Sequence, residues 1–243
     1  MSKDKITAEI FSISETSVLV QFGSEINKEI HMRVKSFTDY LDKNPIKGTL
    51  EYIPAFTSVT IVYDPIRVKK AYGDIESFAY KIMQNKISEI LNNVVTATRE
   101  KYRIIEIPVC YGGEFGPDLE YVASYNKISV DEVIKLHSNV EYLVYMIGFA
   151  PGFPYLGGMS QKISTPRKKS PRTSIPKGSV GIAGMQTGIY PISTPGGWQL
   201  IGSTPIELFR PEDDPPSLLR AGDVVKFIPI SYEEYEAYKE AEV

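Results

Sequence analysis

The 243-residue sequence is poor in the residues that carry most covalent and metal chemistry. It has one cysteine, Cys110, so no disulfide can form within the chain, and a lone thiol suits a reducing compartment. With two histidines, His31 and His137, there are too few nitrogen and sulfur ligands for a zinc site of familiar spacing. No apolar run approaches the roughly 18 residues of a membrane helix. Residues 1–5 lead straight into polar–apolar alternation without an apolar h-region, so the expectation is a soluble, cytoplasmic protein. A basic excess is also missing: the formal net charge is -3 and the pI about 5.6, which argues against nucleic acid as a partner. There is no phosphate loop, no dinucleotide fingerprint and no nucleophile elbow.

What remains is ordinary for a globular protein, at 42% hydrophobic and 23% charged residues. Residues 5–13 and 17–22 read as strands around the turn at 14–16. Ile26, Ile30, Val34, Phe37 and Leu41 recur at helical spacing, and Asn44-Pro45 and Gly48 end that helix. Strands follow at 49–53 and 58–63, Asp64-Pro65 reads as a turn, and a second amphipathic helix is expected over 74–91. Its apolar face would use Ile75, Phe78, Ala79, Ile82, Ile87, Ile90 and Leu91. With a strand at 103–109, this order fits a split βαβ, ferredoxin-like arrangement. Residues 92–101 are the expected linker. Two short helices are expected near 117–126 and 129–138, the second opened by Ser129 and Glu132 at capping-box spacing. From 142 to 230, short β runs between glycines and prolines read as a barrel or sandwich. The fold class is therefore α+β. The expected domains are 1–98 and 99–232, with a C-terminal tail at 233–243.

Residues 142–206 contain no Asp and no Glu, and their charges are Lys162, Arg167, Lys168, Lys169, Arg172 and Lys177. Charge segregated in this way focuses a field on ligands of opposite sign. The same window holds 11 of the 18 glycines and 8 of the 17 prolines, which points to shaped loops around a concave surface. In GFAPGFPYLGG (148–158), Phe149, Pro151, Gly152, Phe153 and Tyr155 are candidates to line a substrate- or partner-binding pocket. Gln186 and Tyr190, within GSVGIAGMQTGIYP (178–191), and Trp198, within STPGGW (193–198), are further candidates. Arg167 and Arg172, each preceded by proline, serve either as a bidentate anion clamp or as structural salt bridges. His137 falls late in a helix, where it is either a packing residue or a site residue. Cys110 follows Pro108 and Val109 in a strand and reads as inert.

Five stretches carry a family resemblance: YGGEFGPD (111–118), DEVIKLH (131–137), YMIGFAPGFPYLGG (145–158), GSVGIAGMQTG (178–188) and PGGW (195–198). In this order they resemble the family of 5-oxoprolinase B subunits, also called allophanate hydrolase subunit 1 or the KipI family. The resemblance spans nearly the whole chain and is densest from 108 to 230. It implies an N-terminal ferredoxin-like domain and a C-terminal cyclophilin-like β-barrel. It also implies a heteromeric complex with the A and C subunits of 5-oxoprolinase, which converts 5-oxo-L-proline, ATP and water to L-glutamate, ADP and phosphate. Under that resemblance Arg167 and Arg172 stabilise the substrate carboxylate or the transferred phosphoryl group, and His137 acts as general acid or base or orients a neighbour. ATP is the cofactor of the complex. The family offers two other roles: inhibition of a sporulation histidine kinase through its dimerisation helices, and membership in urea or allophanate metabolism.

Overall fold

A computed structural model describes residues 7–25, 27–94 and 102–241. The chain divides into two compact units, Met1–Lys101 and Tyr102–Val243.

The first unit is an antiparallel four-stranded sheet with three helices. Its strands are β1 (Glu9–Ser14), β2 (Ser17–Gln21), β3 (Thr49–Pro54) and β4 (Ser58–Tyr63), in the spatial order β1-β2-β4-β3. The period of two in β2 and β4 buries Val18, Val20, Val59, Ile61 and Tyr63 on one face. Helix α1 (Lys28–Lys43) answers with Val34, Phe37 and Leu41, and its N-cap Asn27 accepts from the Ile30 amide. Ile26, expected on that face, lies outside the described residues. Each fully buried aliphatic side chain here contributes about 1.5–3 kcal/mol before entropy is set against it.

Three expectations for this unit need correction. The strand expected at 103–109 is β5 (Ile104–Tyr111), and it lies in the barrel. The edge beside β2 is held by β1, because a hairpin with a short turn closes a far smaller loop than a return from beyond residue 100. Asp64-Pro65, expected as a turn, instead opens helix α2 (Pro65–Tyr72), with Asp64 capping the Ile66 and Arg67 amides, Pro65 at the first turn and Gly73 closing the helix at φ 68°. The helix expected at 74–91 runs Ala79–Asn93 (α3), so Ile75 and Phe78 fall outside it and are 76% and 81% exposed.

The second unit is built on a closed barrel of seven strands in the order β10-β7-β6-β13-β5-β12-β9. Besides β5 these are β6 (Glu141–Ile147), β7 (Pro154–Gly157), β9 (Ser179–Ala183), β10 (Gln186–Ile189), β12 (Gln199–Ser203) and β13 (Val224–Pro229). All neighbouring pairs are antiparallel except β5 with β13, which run parallel from Ile104↔Val224 to Val109↔Pro229. The interior is filled by side chains such as Ile107, Val109, Tyr142, Val144, Ile182, Ile201 and Phe227, as expected of a small barrel. Helices α4 (Leu119–Asn126) and α5 (Val130–Ser138) pack on it. Ser129 accepts from the Glu132 amide, which is one half of the expected capping box. A ribbon of β8 (Arg172–Ile175) and β11 (Thr194–Gly196) stands apart from the barrel sheet. Most of the expected tail is helical: helix α6 (Tyr232–Ala241) begins at the last residue of the expected barrel domain and is opened by a reciprocal box between Ser231 and Glu234.

Candidate functional site

Five of the aromatic and glycine-rich positions singled out in the sequence converge on the outside of the barrel wall. Phe153 is the hub. Its ring centroid lies 5.4 Å from Phe149, 5.4 Å from Tyr155, 5.5 Å from Tyr190 and 5.7 Å from Trp198, all edge-on. Edge-to-face contacts of this kind place the positive ring edge on the negative face and fix ring orientation. The alternation along β10 explains the placement. Thr187 and Ile189 point into the barrel, while a Cβ on Gly188 would sit 3.0 Å from the Phe153 ring and 3.2 Å from Trp198. Gly188 therefore leaves the room the rings occupy, and Gln186, two residues earlier, shares its face.

The loop over this nest is strained. Phe149 adopts φ 69°, a left-handed conformation that costs a non-glycine residue about 1–2 kcal/mol. The residue is 67% exposed. Pro151 is exposed, and Gly152 turns the chain at φ 78° against Phe209.

The two arginines behave differently. Arg172 begins β8, donates from Nη2 to Asp118 Oδ1 at 2.9 Å and pairs with Oδ2 at 2.8 Å, while Nη1 reaches the Trp198 carbonyl at 3.4 Å. Lys168 donates to the same carboxylate at 3.1 Å. Of the two sequence readings for Arg172, the structure displays the salt bridge. Arg167 is exposed and makes no hydrogen bond or ion pair among the described residues. Both guanidiniums lie near the Tyr190 phenol. Burial pushes that phenol up to about 12, and Arg167, Arg172 and the Trp198 backbone pull the other way.

Asp118 is the residue that sequence reading passed over. Its side chain is 8% exposed. Burial favours its neutral form, but hydrogen bonds from Arg172, the Leu200 amide and Lys168 outweigh burial and hold the carboxyl below its usual range. The signal was available: a window of 65 residues without an acid must take its counter-charge from outside, and Asp118 is the acid of the GPD turn ahead of α4.

His137 is not part of this cluster. It is 0% exposed and stacked on Phe227 inside the barrel at 4.5 Å. Thr187 donates to the Gly181 carbonyl, so its oxygen accepts from His137 Nε2–H at 2.8 Å, and Nδ1 accepts from the Tyr111 hydroxyl at 2.8 Å. Both ring nitrogens are used and burial lowers the pKa to about 3, so the imidazole is neutral and closed to solvent. Cys110 is buried, and burial raises its thiol pKa.

A separate cavity of about 960 Å³ is lined by Phe115, Lys177, Ser203, Thr204, Glu207, Arg210 and Tyr235, among others, and by none of the candidate catalytic or binding residues named from the sequence. Among the described residues no group of His, Cys, Asp or Glu is placed to hold a metal ion, and no helix is long and apolar enough to cross a membrane.

The chain has close counterparts among known proteins over nearly its whole length. Residues 8–219 match the carboxyltransferase domain, subdomain C and D, family. The 5-oxoprolinase B subunit of Bacillus subtilis (strain 168) is 54% identical over 232 residues, 96% of this chain and 97% of that protein. This chain belongs to the family of 5-oxoprolinase B subunits. The family's Escherichia coli O157:H7 member is 40% identical over 227 residues, 91% of this chain and 96% of that one. The crystal structure of TTHA0988 superposes with a TM-score of 0.74 at 33% identity, covering 89% of this chain, which spans 40% of that longer one.

Proposed function

We propose that this chain is the B subunit of an ATP-dependent 5-oxoprolinase, which opens 5-oxo-L-proline to L-glutamate in a complex with the A and C subunits. The observation that carries this reading is the 54% identity extending over nearly the full length of both chains. A lactam is resonance-stabilised, and phosphorylation of its oxygen by ATP makes the carbonyl carbon open to water. Substrate carboxylate and transferred phosphoryl are both anions, and the cationic rim of Arg167, Arg172 and Lys168 suits either. The nest of Phe149, Phe153, Tyr155, Tyr190 and Trp198, with Pro151, Gly152 and Gln186 on its loops and face, supplies an apolar wall for the ring or for a companion protein. His137 acts through Thr187 on the barrel wall rather than on substrate.

The test is reconstitution. Purified chain mixed with the A and C subunits and ATP is expected to release glutamate from 5-oxo-L-proline, and omission of any one component is expected to stop it. Full turnover by the A and C subunits without this chain would sink the assignment.

A further inference from the structure

Asp118 occupies the N-cap position of α4, where an aspartate ordinarily accepts from the first helical amides. Here it makes no such bond. Its carboxylate turns away to the Leu200 amide at 2.7 Å, to Arg172 at 2.8 and 2.9 Å and to Lys168 at 3.1 Å. A residue that forgoes its local bond for three distant partners is fixing something other than its own helix.

What it fixes is the segment 166–172. That segment is tied down at two further points, one between β11 and β12 and one on β12: the Lys168 amide donates to the Gly197 carbonyl at 2.7 Å, and Gln199 Nε2 donates to the Pro166 carbonyl at 2.9 Å. Arg167 lies between those ties with its guanidinium uncommitted among the described residues. Arg172 keeps Nε–H without a protein partner among the described residues. Two cations against one carboxylate leave a net positive charge on the cluster, to which Arg167 adds.

Resting on the reading that this rim faces an anionic group of the substrate, we infer that Asp118 is the positioning residue of the site: it holds Arg172 and Lys168 so that Arg167 and the open edge of Arg172 converge on one carboxylate or phosphoryl group beside Tyr190 and Trp198. Asp118 does not touch that group. It acts through Arg172.

The sole tryptophan, Trp198, sits against Arg172 and serves as the probe. The full chain is titrated with 5-oxo-L-proline while Trp198 emission is followed, with calorimetry as a check. Asp118→Asn keeps an acceptor for the Leu200 amide and removes the charge. It is expected to weaken binding about tenfold, Arg172→Ala to do the same, and the double variant to be no weaker than Arg172→Ala alone. A purely structural role would lower the melting temperature without this non-additivity. Where Asp118→Asn does not fold, Lys168→Met cuts one arm and leaves the Arg172 pair, and at least a threefold loss is expected. Wild-type affinity in a folded Asp118→Asn, or in Lys168→Met when only that variant folds, overturns the inference. So do additive losses in the double variant and an absence of binding to the wild-type chain. If the titrations behave as expected but the three-component mixture releases no glutamate, the oxoprolinase reading fails and the role of Asp118 stands.

Discussion

Asp118 and Leu200 are joined in both directions: the Asp118 amide donates to the Leu200 carbonyl at 2.9 Å, and the Leu200 amide donates to Asp118 Oδ2 at 2.7 Å. The start of α4 is thereby sewn to β12, and the carboxylate is delivered beneath the 166–172 segment with one oxygen already bonded. Removing Arg172 from this arrangement leaves a buried carboxylate with only Lys168 and the Leu200 amide to offset its charge. Arg172→Ala is expected to cost about 2 kcal/mol of stability, less than a fully buried pair because Arg172 is partly exposed. Arg167→Ala, which breaks no bond, is expected to stay within about 0.5 kcal/mol of wild type. In the reconstituted complex both should raise KM for 5-oxo-L-proline. Urea unfolding and steady-state kinetics separate the two effects.

The buried imidazole makes the barrel acid-sensitive. His137 has a folded pKa of about 3, below the unfolded value of 6.5, so the unfolded chain binds the extra proton. Its contribution to stability is complete above about pH 6.5 and is lost as pH falls toward 3, at up to about 1.4 kcal/mol per pH unit. His31, lowered to about 4 by burial and by Lys35, acts in the same direction in the first unit. Urea midpoints should therefore fall between pH 7 and pH 5, and His137→Gln should flatten the fall. An unchanged slope in that variant would contradict the assignment.

Phe149 pairs backbone strain with exposure. Phe149→Gly relieves the left-handed backbone and gives up little buried area, while the unfolded chain gains freedom. The melting temperature is expected to hold or rise, while binding to the companion subunits or to substrate weakens. A melting temperature that falls by more than about 5 °C would mean the ring is a packing element after all.

Gly188→Ala tests the nest from below. The new methyl would stand 3.0 Å from the Phe153 ring and 3.2 Å from Trp198, so the rings must shift. Overpacking of this kind costs about 1–3 kcal/mol. Trp198 emission should shift in the folded variant, and the His137 side of the barrel wall should keep its pH response.

Much of the fold could be read from periodicity. The α1 face of Val34, Phe37 and Leu41 and the alternation in β4 are both buried as their spacing dictates. The misses follow from signals that compete with periodicity. Ile75 and Phe78 have helical spacing with the true helix but precede its start, and spacing alone does not mark where a helix begins. Asp64-Pro65 reads as a turn and is also a cap with a first-turn proline; Gly73 eight residues on distinguishes the two. The apolar run of β5 has no period, because its C-terminal residues 107–110 are buried in succession, and that pattern belongs to a barrel rather than to a half-covered sheet. At the site, the rings and Arg167 were legible as a loop cluster free of acidic charge. The interior position of His137 was not. A late-helix histidine looks the same in sequence whether its partners are a substrate or Tyr111 and Thr187, 26 residues before it and 50 after it.

Among the described residues the one parallel seam joins β5, at the beginning of the barrel unit, to β13, late in it. A nascent chain cannot close the cylinder until residues 224–229 have left the ribosome, more than a hundred residues after β5 emerges. During that interval β5 and β6 each wait with an unsatisfied edge, which is the hazard of long-range pairing in any slowly assembled sheet. The step that seals the barrel against aggregation is therefore the emergence of β13, the last of its strands, and not any earlier pairing.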